Sequence, residues 1–297
     1  MTSNNAAPKS SQPTGSIADR LVYAVVRVML AILGLAPYAA RVRMGGWVFK
    51  YLVGPIAGYR RRIRNNLDLV LPDITPQEKE RLARAVPENL GRTLIELFSP
   101  DEFLEIARRT PLSGGGVAAL EKARAENKPI VLVSGHFGNY DVVRARMIAE
   151  GYDVGGLYRP MNNEFFNKFY VSTISKIGEP LFQRGRRGMA EMVKFLRAGN
   201  TLAILIDQHM GKGAPLTFFG RPARTALSAA QLAIKYDALL VPCYAIRQED
   251  GINFQIILEA PLPATTAEEM TQALNDSLEA RVRENMDQWL WIHRRWK

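Results

Sequence analysis

Two of the chain's three histidines stand close to a carboxylate. His136 opens His136-Phe137-Gly138-Asn139-Tyr140-Asp141, which sets an imidazole and a carboxylate five positions apart, and His209 closes Asp207-Gln208-His209. An imidazole oriented by a carboxylate is a general base, able to take a proton from an attacking hydroxyl. In a regular helix positions i and i+5 lie on different faces. The first pair therefore needs His136 on a turn that folds back and Asp141 in the first turn of the helix that follows. A plainer reading stands beside it, because an Asp in a first helical turn is favoured by the helix dipole alone.

The elements around His136 meet that requirement. Pro129-Ile130-Val131-Leu132-Val133-Ser134-Gly135 is apolar and β-branched throughout, bounded by Pro and Gly, and reads as a buried strand. Asn139 is placed to cap a helix running from Asp141, and Gly151 to close it. His136 then sits at the carboxyl end of a strand, where open α/β sheets hold their ligands. Thr201 to Ile206 gives a second buried strand that ends at Asp207-Gln208-His209. If the two strands are parallel, both polar clusters fall at one edge and form one site.

Helix and strand patterns alternate from residue 65 onward. Thr75-Pro76-Gln77-Glu78 is a strong helix start, and helices are expected over 165–177, 188–198 and 228–236. Tyr152 to Tyr158, the segment around the single cysteine Cys243, and Ile252 to Leu258 supply further strands. The expected fold is α/β: a mixed, mainly parallel central sheet flanked by helices, preceded by a hydrophobic membrane-associating helix.

That N-terminal region reads in two parts. Residues 1–15 are rich in Ser, Asn, Pro and Ala and are expected to be a disordered tail. Leu21 to Ala36 is apolar around its whole circumference apart from Arg27, and with Pro37 to Ala40 it approaches the ~20 residues needed to cross a bilayer. Arg27 is off-centre and can snorkel. Arg41, Arg43, Lys50, Arg60, Arg61, Arg62 and Arg64 follow with no acidic residue among them, interleaved with Trp47, Phe49, Tyr51 and Ile56. This is the composition of a segment on an anionic leaflet. A buried helix with its arginines on a wet face is the competing reading. The expected organisation is a tail over 1–15, a membrane-associating segment over 16–64 and a catalytic domain over 65–297.

A net charge of +10 calls for an anionic partner. Nucleic acid falls behind the membrane, because no helix-turn-helix, RRM or KH pattern accompanies the charge. One cysteine excludes an intrachain disulfide, and three histidines make a His-rich metal site improbable. There is no G-x-S-x-G elbow of a serine hydrolase. No cofactor is implied.

Together these blocks resemble the late acyltransferases of lipid A biosynthesis, the lauroyl/myristoyl transferase family. Gly135 to Asp141 looks like that family's H-x4-D/E box, and Tyr158-Arg159-Pro160-Met161-Asn162-Asn163 like its second block. Asp207-Gln208, with Phe218-Phe219-Gly220-Arg221-Pro222 and Thr225, resembles the third, and Gln288 to Lys297 the C-terminal signature. The resemblance implies fatty acyl transfer from acyl carrier protein to a hydroxyl of a phosphorylated glycolipid, at the cytoplasmic face of the bacterial inner membrane. It makes His136 the base, Asp141 the residue that orients it, and Arg159 a ligand of acceptor phosphate or of the oxyanion. It puts Asn162, Asp207, Gln208, Phe219 and Gly220 at the substrates.

Other readings stay open at this point. They are the same chemistry on another lipid acceptor (an amino-acid-containing lipid, another glycolipid or a lysophospholipid), a non-catalytic lipid-binding membrane protein, and a hydrolase that pairs His209 with Asp207. The tryptophans and arginines of the C-terminal block fit a membrane-edge belt or packing at a domain surface equally well.

Overall fold

The structure, a computed structural model, describes residues 15–297. The expected disordered tail lies outside those residues except for Gly15. Helices α1 (Ile17–Gly34) and α2 (Tyr38–Val48) come first, then a π-helical turn at Phe49–Val53 and the short α3 (Gly54–Ile56). Helices α4 (Tyr59–Val70), α5 (Pro76–Leu97) and α6 (Pro100–Arg109) follow. Thr75 caps α5 as its sequence implies, accepting from the Glu78 amide at 3.2 Å. Pro87 lies inside α5 without ending it.

Strands and helices then alternate: β1 (Leu112–Ser113), α7 (Val117–Ala125), β2 (Ile130–Ser134), α8 (Asp141–Ala149), β3 (Val154–Tyr158), α9 (Glu164–Ile177), β4 (Leu181–Gln183), α10 (Arg186–Arg197) and β5 (Thr201–Leu205). A hairpin of β6 (Ala214–Phe218) and β7 (Arg221–Thr225) leads to α11 (Ser228–Tyr236), β8 (Leu239–Arg247), β9 (Phe254–Leu258) and α12 (Ala267–Glu284). A 3-10 turn at Met286–Gln288 opens the C-terminal segment.

Seven strands form one sheet in the order β1-β9-β8-β2-β5-β3-β4. From β8 to β4 the pairs are parallel, β9 runs antiparallel to β8, and β1 is parallel to β9. The sheet is therefore mixed and mainly parallel, with helices on both faces. Alternate side chains of β2 feed the two layers: Ile130 and Leu132 join the core under α6, α7 and α8, while Val131 and Val133 join the core under α10, α11 and α12. A third core joins α4 and α5 to the hairpin and the C-terminal segment. Burial on both faces explains the unbroken apolar run in β2.

Among the described residues no helix is long and apolar enough to cross a membrane. The all-round apolar character of α1 serves two surfaces. Tyr23 packs on Phe165 and Phe169 of α9, and Leu33 is buried. Leu21, Val22, Val25, Val28, Met29 and Ile32 are exposed on the other side. Arg27 stacks over Phe169 at 4.5 Å and donates to the Tyr23 hydroxyl, so its charge is held against protein. The basic flank is partly neutralised within the fold: Arg41 pairs with Glu102, Lys50 with Glu88 and Arg64 with Glu80.

Candidate active site

Strands β2 and β5 are parallel neighbours with Ser134 opposite Leu205. Two residues beyond each strand end stand His136 and Asp207. The register delivers them to the same edge side by side, and the Asp207 Oδ1 lies 2.8 Å from His136 Nδ1. Asp207 Oδ2 accepts from the His136 backbone N–H at 2.8 Å and from the indole N–H of Trp289 at 2.9 Å. Asp207 is completely buried. Burial alone would raise its pKa, but the charge and hydrogen bonds of His136, with a contribution from His293, outweigh it and hold the carboxyl well below the usual range. It stays an acceptor and meets the imidazole at Nδ1, so Nε2 is the ring's other polar atom.

Asp141 lies elsewhere. The turn after β2 carries it to the start of α8, where its carboxylate meets Arg144 Nε at 2.9 Å. Arg144 in turn donates to the carbonyls of Gly178 and Ile174 at the end of α9. The local pair suggested by the five-residue spacing is thus replaced by a pair across adjacent strands, and Asp141 ties α8 to α9.

The turn itself is held by a buried network that its own sequence does not announce. The N-cap residue of α8 is Tyr140 rather than Asn139; Asn139 instead accepts from the Asp141 amide two residues on at 3.2 Å, and its Nδ2 donates to Glu96 at 2.8 Å. Glu96 forms a buried ion pair with Arg247, which also bonds Asn89 and Thr93. Thr93 donates to the Gly138 carbonyl at 3.1 Å. Asn89, Thr93 and Glu96 recur at four- and three-residue spacing along α5, so they form a polar stripe on its packed face. That stripe was the available sequence signal. Gly138 has φ +55°, and a Cβ there would lie 1.9 Å from the Ala245 carbonyl oxygen, so only glycine fits.

The C-terminal segment closes the site from the other side. Phe137 forms an antiparallel bridge with Trp289, the Gly138 N–H donates to the Gln288 carbonyl, and the Leu290 N–H donates to the His136 carbonyl. Trp289 and Trp291 are fully buried and pack with Phe218, Phe219 and Trp296, while Arg295 is buried over Phe218. These tryptophans form core, not a membrane-edge belt. The ring of His293 lies edge-on to His136 at 4.8 Å between centroids. Burial, then the neighbouring His136, push its pKa down to about 4.

Other residues singled out in the sequence scatter around this centre. Arg159 is exposed one residue past β3, beside Arg184, whose amide donates to the Tyr158 carbonyl. Asn162 and Gln208 are exposed. Phe219 is buried among Trp291, Trp296 and Phe218, and with Gly220 it makes the β6–β7 turn, with φ +52° and +67°. His209 does not take part in the Asp207 hydrogen bonds, which go to His136 and Trp289. A mostly apolar cleft opens beside the dyad between the sheet and α8 and α9, lined in part by Ser134, Tyr140, Gly156, Tyr170 and Ala203. Among the described residues, the ligand-type atoms of His136, Asp207 and His293 are the group close enough to hold a metal ion, within 4.8 Å of one another. Both Asp207 oxygens are already turned toward N–H groups, which suits a base and its orienting carboxylate.

The family model of the bacterial lipid A biosynthesis acyltransferases matches residues 11–297. The chain belongs to that family. Among its acyltransferase relatives, the lipid A biosynthesis lauroyltransferase of Escherichia coli K12 is 26% identical over 271 residues, covering 88% of this chain and 86% of the relative. A lipid A biosynthesis acyltransferase of Haemophilus influenzae is 24% identical, covering 92% and 88%. The lipid A biosynthesis palmitoleoyltransferase of E. coli K12 is 24% identical, covering 79% and 77%. For an acyltransferase, an imidazole paired with a buried carboxylate near an apolar cleft is a coherent site.

Proposed function

We propose that this acyltransferase moves a fatty acyl group from acyl carrier protein to a hydroxyl of a phosphorylated lipid A precursor, with His136 as general base and Asp207 orienting it. The observation that carries this reading is the 2.8 Å contact between His136 Nδ1 and Asp207 at the carboxyl edge of the sheet, in a member of the lipid A family. As the acceptor oxygen attacks the thioester carbonyl carbon, His136 Nε2 takes its proton. The tetrahedral intermediate then collapses, the C–S bond breaks, and the imidazolium returns the proton to the leaving thiolate. Asp207 remains ionised and stabilises the imidazolium. The acyl chain lies in the cleft beside Tyr140 and Gly156, and Arg159 meets acceptor phosphate or the developing oxyanion.

The enzyme works at the cytoplasmic face of the bacterial inner membrane. The exposed apolar side of α1, continued by Met44, Trp47, Tyr51, Leu52 and Ile56, supports a helix lying in the interface rather than crossing it. Such a position keeps the site next to a water-insoluble acceptor.

The test is acyl transfer from labelled acyl carrier protein to a phosphorylated lipid A precursor, comparing wild type with His136→Ala in one detergent. Transfer that disappears in a folded mutant is the expected result. Equal activity in both removes His136 from the mechanism, and no transfer by the wild type makes the donor or the acceptor wrong.

A further inference from the structure

The carboxylate that orients His136 is itself held from a distant part of the chain. Asp207 Oδ2 has two N–H donors, the backbone of His136 and the Trp289 indole, while Oδ1 faces the imidazole. Trp289 has no freedom to leave. It is fully buried, and its backbone is bridged to Phe137 and followed by the Leu290 bond to the His136 carbonyl. One segment thus fixes the base's main chain and its partner's carboxylate together.

We propose that Trp289 is a positioning residue for acyl transfer, whose indole N–H locks the Asp207 carboxylate in the rotation that presents Oδ1 to His136. The inference rests on the reading of His136 as base. An indole gives the lock without a second charge, so no cation competes with the imidazolium for Asp207. Removing it leaves Oδ2 with one donor, lets the carboxylate rotate, and leaves more of its negative charge facing the imidazole. The other ionisable groups around the dyad include His293 and Arg295 on the same segment, Arg62 on α4, Tyr140 on the turn, Asp141 and Arg144 on α8 and Tyr170 on α9.

Trp291 supplies a matched control. It is equally buried, packs against Trp289 at 4.8 Å, and gives its N–H to the Met286 carbonyl, away from the dyad. Trp289→Phe and Trp291→Phe therefore make similar cavities in one cluster, and only the first removes a donor from Asp207. In the acyl-transfer assay, Trp289→Phe is expected to lose about tenfold in kcat with both KM values within about twofold. The acid limb of its kcat profile should move up by roughly half a pH unit, because a carboxylate relieved of one donor holds the imidazolium proton more strongly. Trp291→Phe should move neither kcat nor the limb beyond about twofold.

If Trp289→Phe does not fold, the same measurements are made on Trp289→β-(3-benzothienyl)alanine, in which sulfur replaces only the N–H. Coincidence of the Trp289 variant with Trp291→Phe in kcat and acid limb, while His136→Ala is inactive, overturns the role of Trp289 alone. Activity surviving in His136→Ala overturns the base itself, and the Trp289 proposal with it.

Discussion

Asp141 and Arg144 form an ion pair at 2.9 Å with both side chains almost closed to solvent, and Arg144 extends it to the last carbonyls of α9. The pair is placed to hold two helices together, whereas Asp207 is placed to hold an imidazole. Their amides separate the two tasks. Asp207→Asn keeps the shape but favours the wrong imidazole tautomer, and kcat in the folded fraction should fall by roughly 10³–10⁴. Asp141→Asn strands a buried guanidinium and should cost about 3 kcal/mol of stability, with kcat in the folded fraction reduced far less. Steady-state kinetics alongside thermal melts checks both, and the reverse ranking would return Asp141 to the dyad.

Glu96 acts on the site through Asn139. Glu96→Gln leaves Arg247 buried with a neutral partner and weakens the tie to the turn that carries His136. A loss of about 3–5 kcal/mol is expected, seen as a melting temperature lower by roughly 10 °C. A variant that melts with the wild type would show that the network contributes no net stability.

His293 gives the fold an acid-sensitive element. Its native pKa of about 4 lies below the ordinary imidazole value, chiefly through burial. Between these values the unfolded chain binds a proton that the native chain does not, so stability is full above about pH 6.5 and falls as pH drops toward 4. The effect is on the order of 2–3 kcal/mol. Asp207 acts in a separate window, since its depressed pKa gives stability that is present above the unfolded carboxyl value and lost only in stronger acid. Denaturant melts from pH 7 to 4 should show a flatter decline for His293→Gln than for wild type. Parallel declines would rule the imidazole out.

Gly156 bears on chain length if the cleft holds the acyl group. A Cβ there would meet Leu181 at 3.4 Å and Arg144 at 3.7 Å, ordinary contacts, so added volume goes into the cleft without moving the backbone. Gly156→Val should shift preference toward shorter donors by about tenfold, read from product masses in competition between acyl chains of different length. An unchanged product distribution would place the chain elsewhere.

The buried strands and the shared edge were legible because continuous apolarity marks β2 and β5, and polar clusters mark where they end. Ser228 to Tyr236 forms a helix with the bounds its pattern implies. The partner of His136 was harder to read. A single sequence does not give strand order, so a carboxylate five residues away competes on equal terms with one across an adjacent strand. The β6–β7 hairpin was hidden because Pro215 and Pro222 interrupt its strands and its turn is Phe219-Gly220 rather than Asn-Gly. The C-terminal tryptophans have the same composition in a belt as in a core, and only their burial decides between them.

The strand order also separates two kinds of change open to this protein over evolutionary time. Residues 141–200 leave β2 through α8, add β3 and β4 to the sheet beyond β5 together with α9 and α10, and return to place Asp207 beside His136. The chain makes an excursion between its two acid–base partners, and the excursion carries Gly156, Arg159 and most of the cleft wall. That edge can lengthen, shrink or change its side chains without altering the β2–β5 register that fixes the dyad. New lipid preferences can therefore accumulate in one peripheral module while the proton-transfer pair is inherited intact.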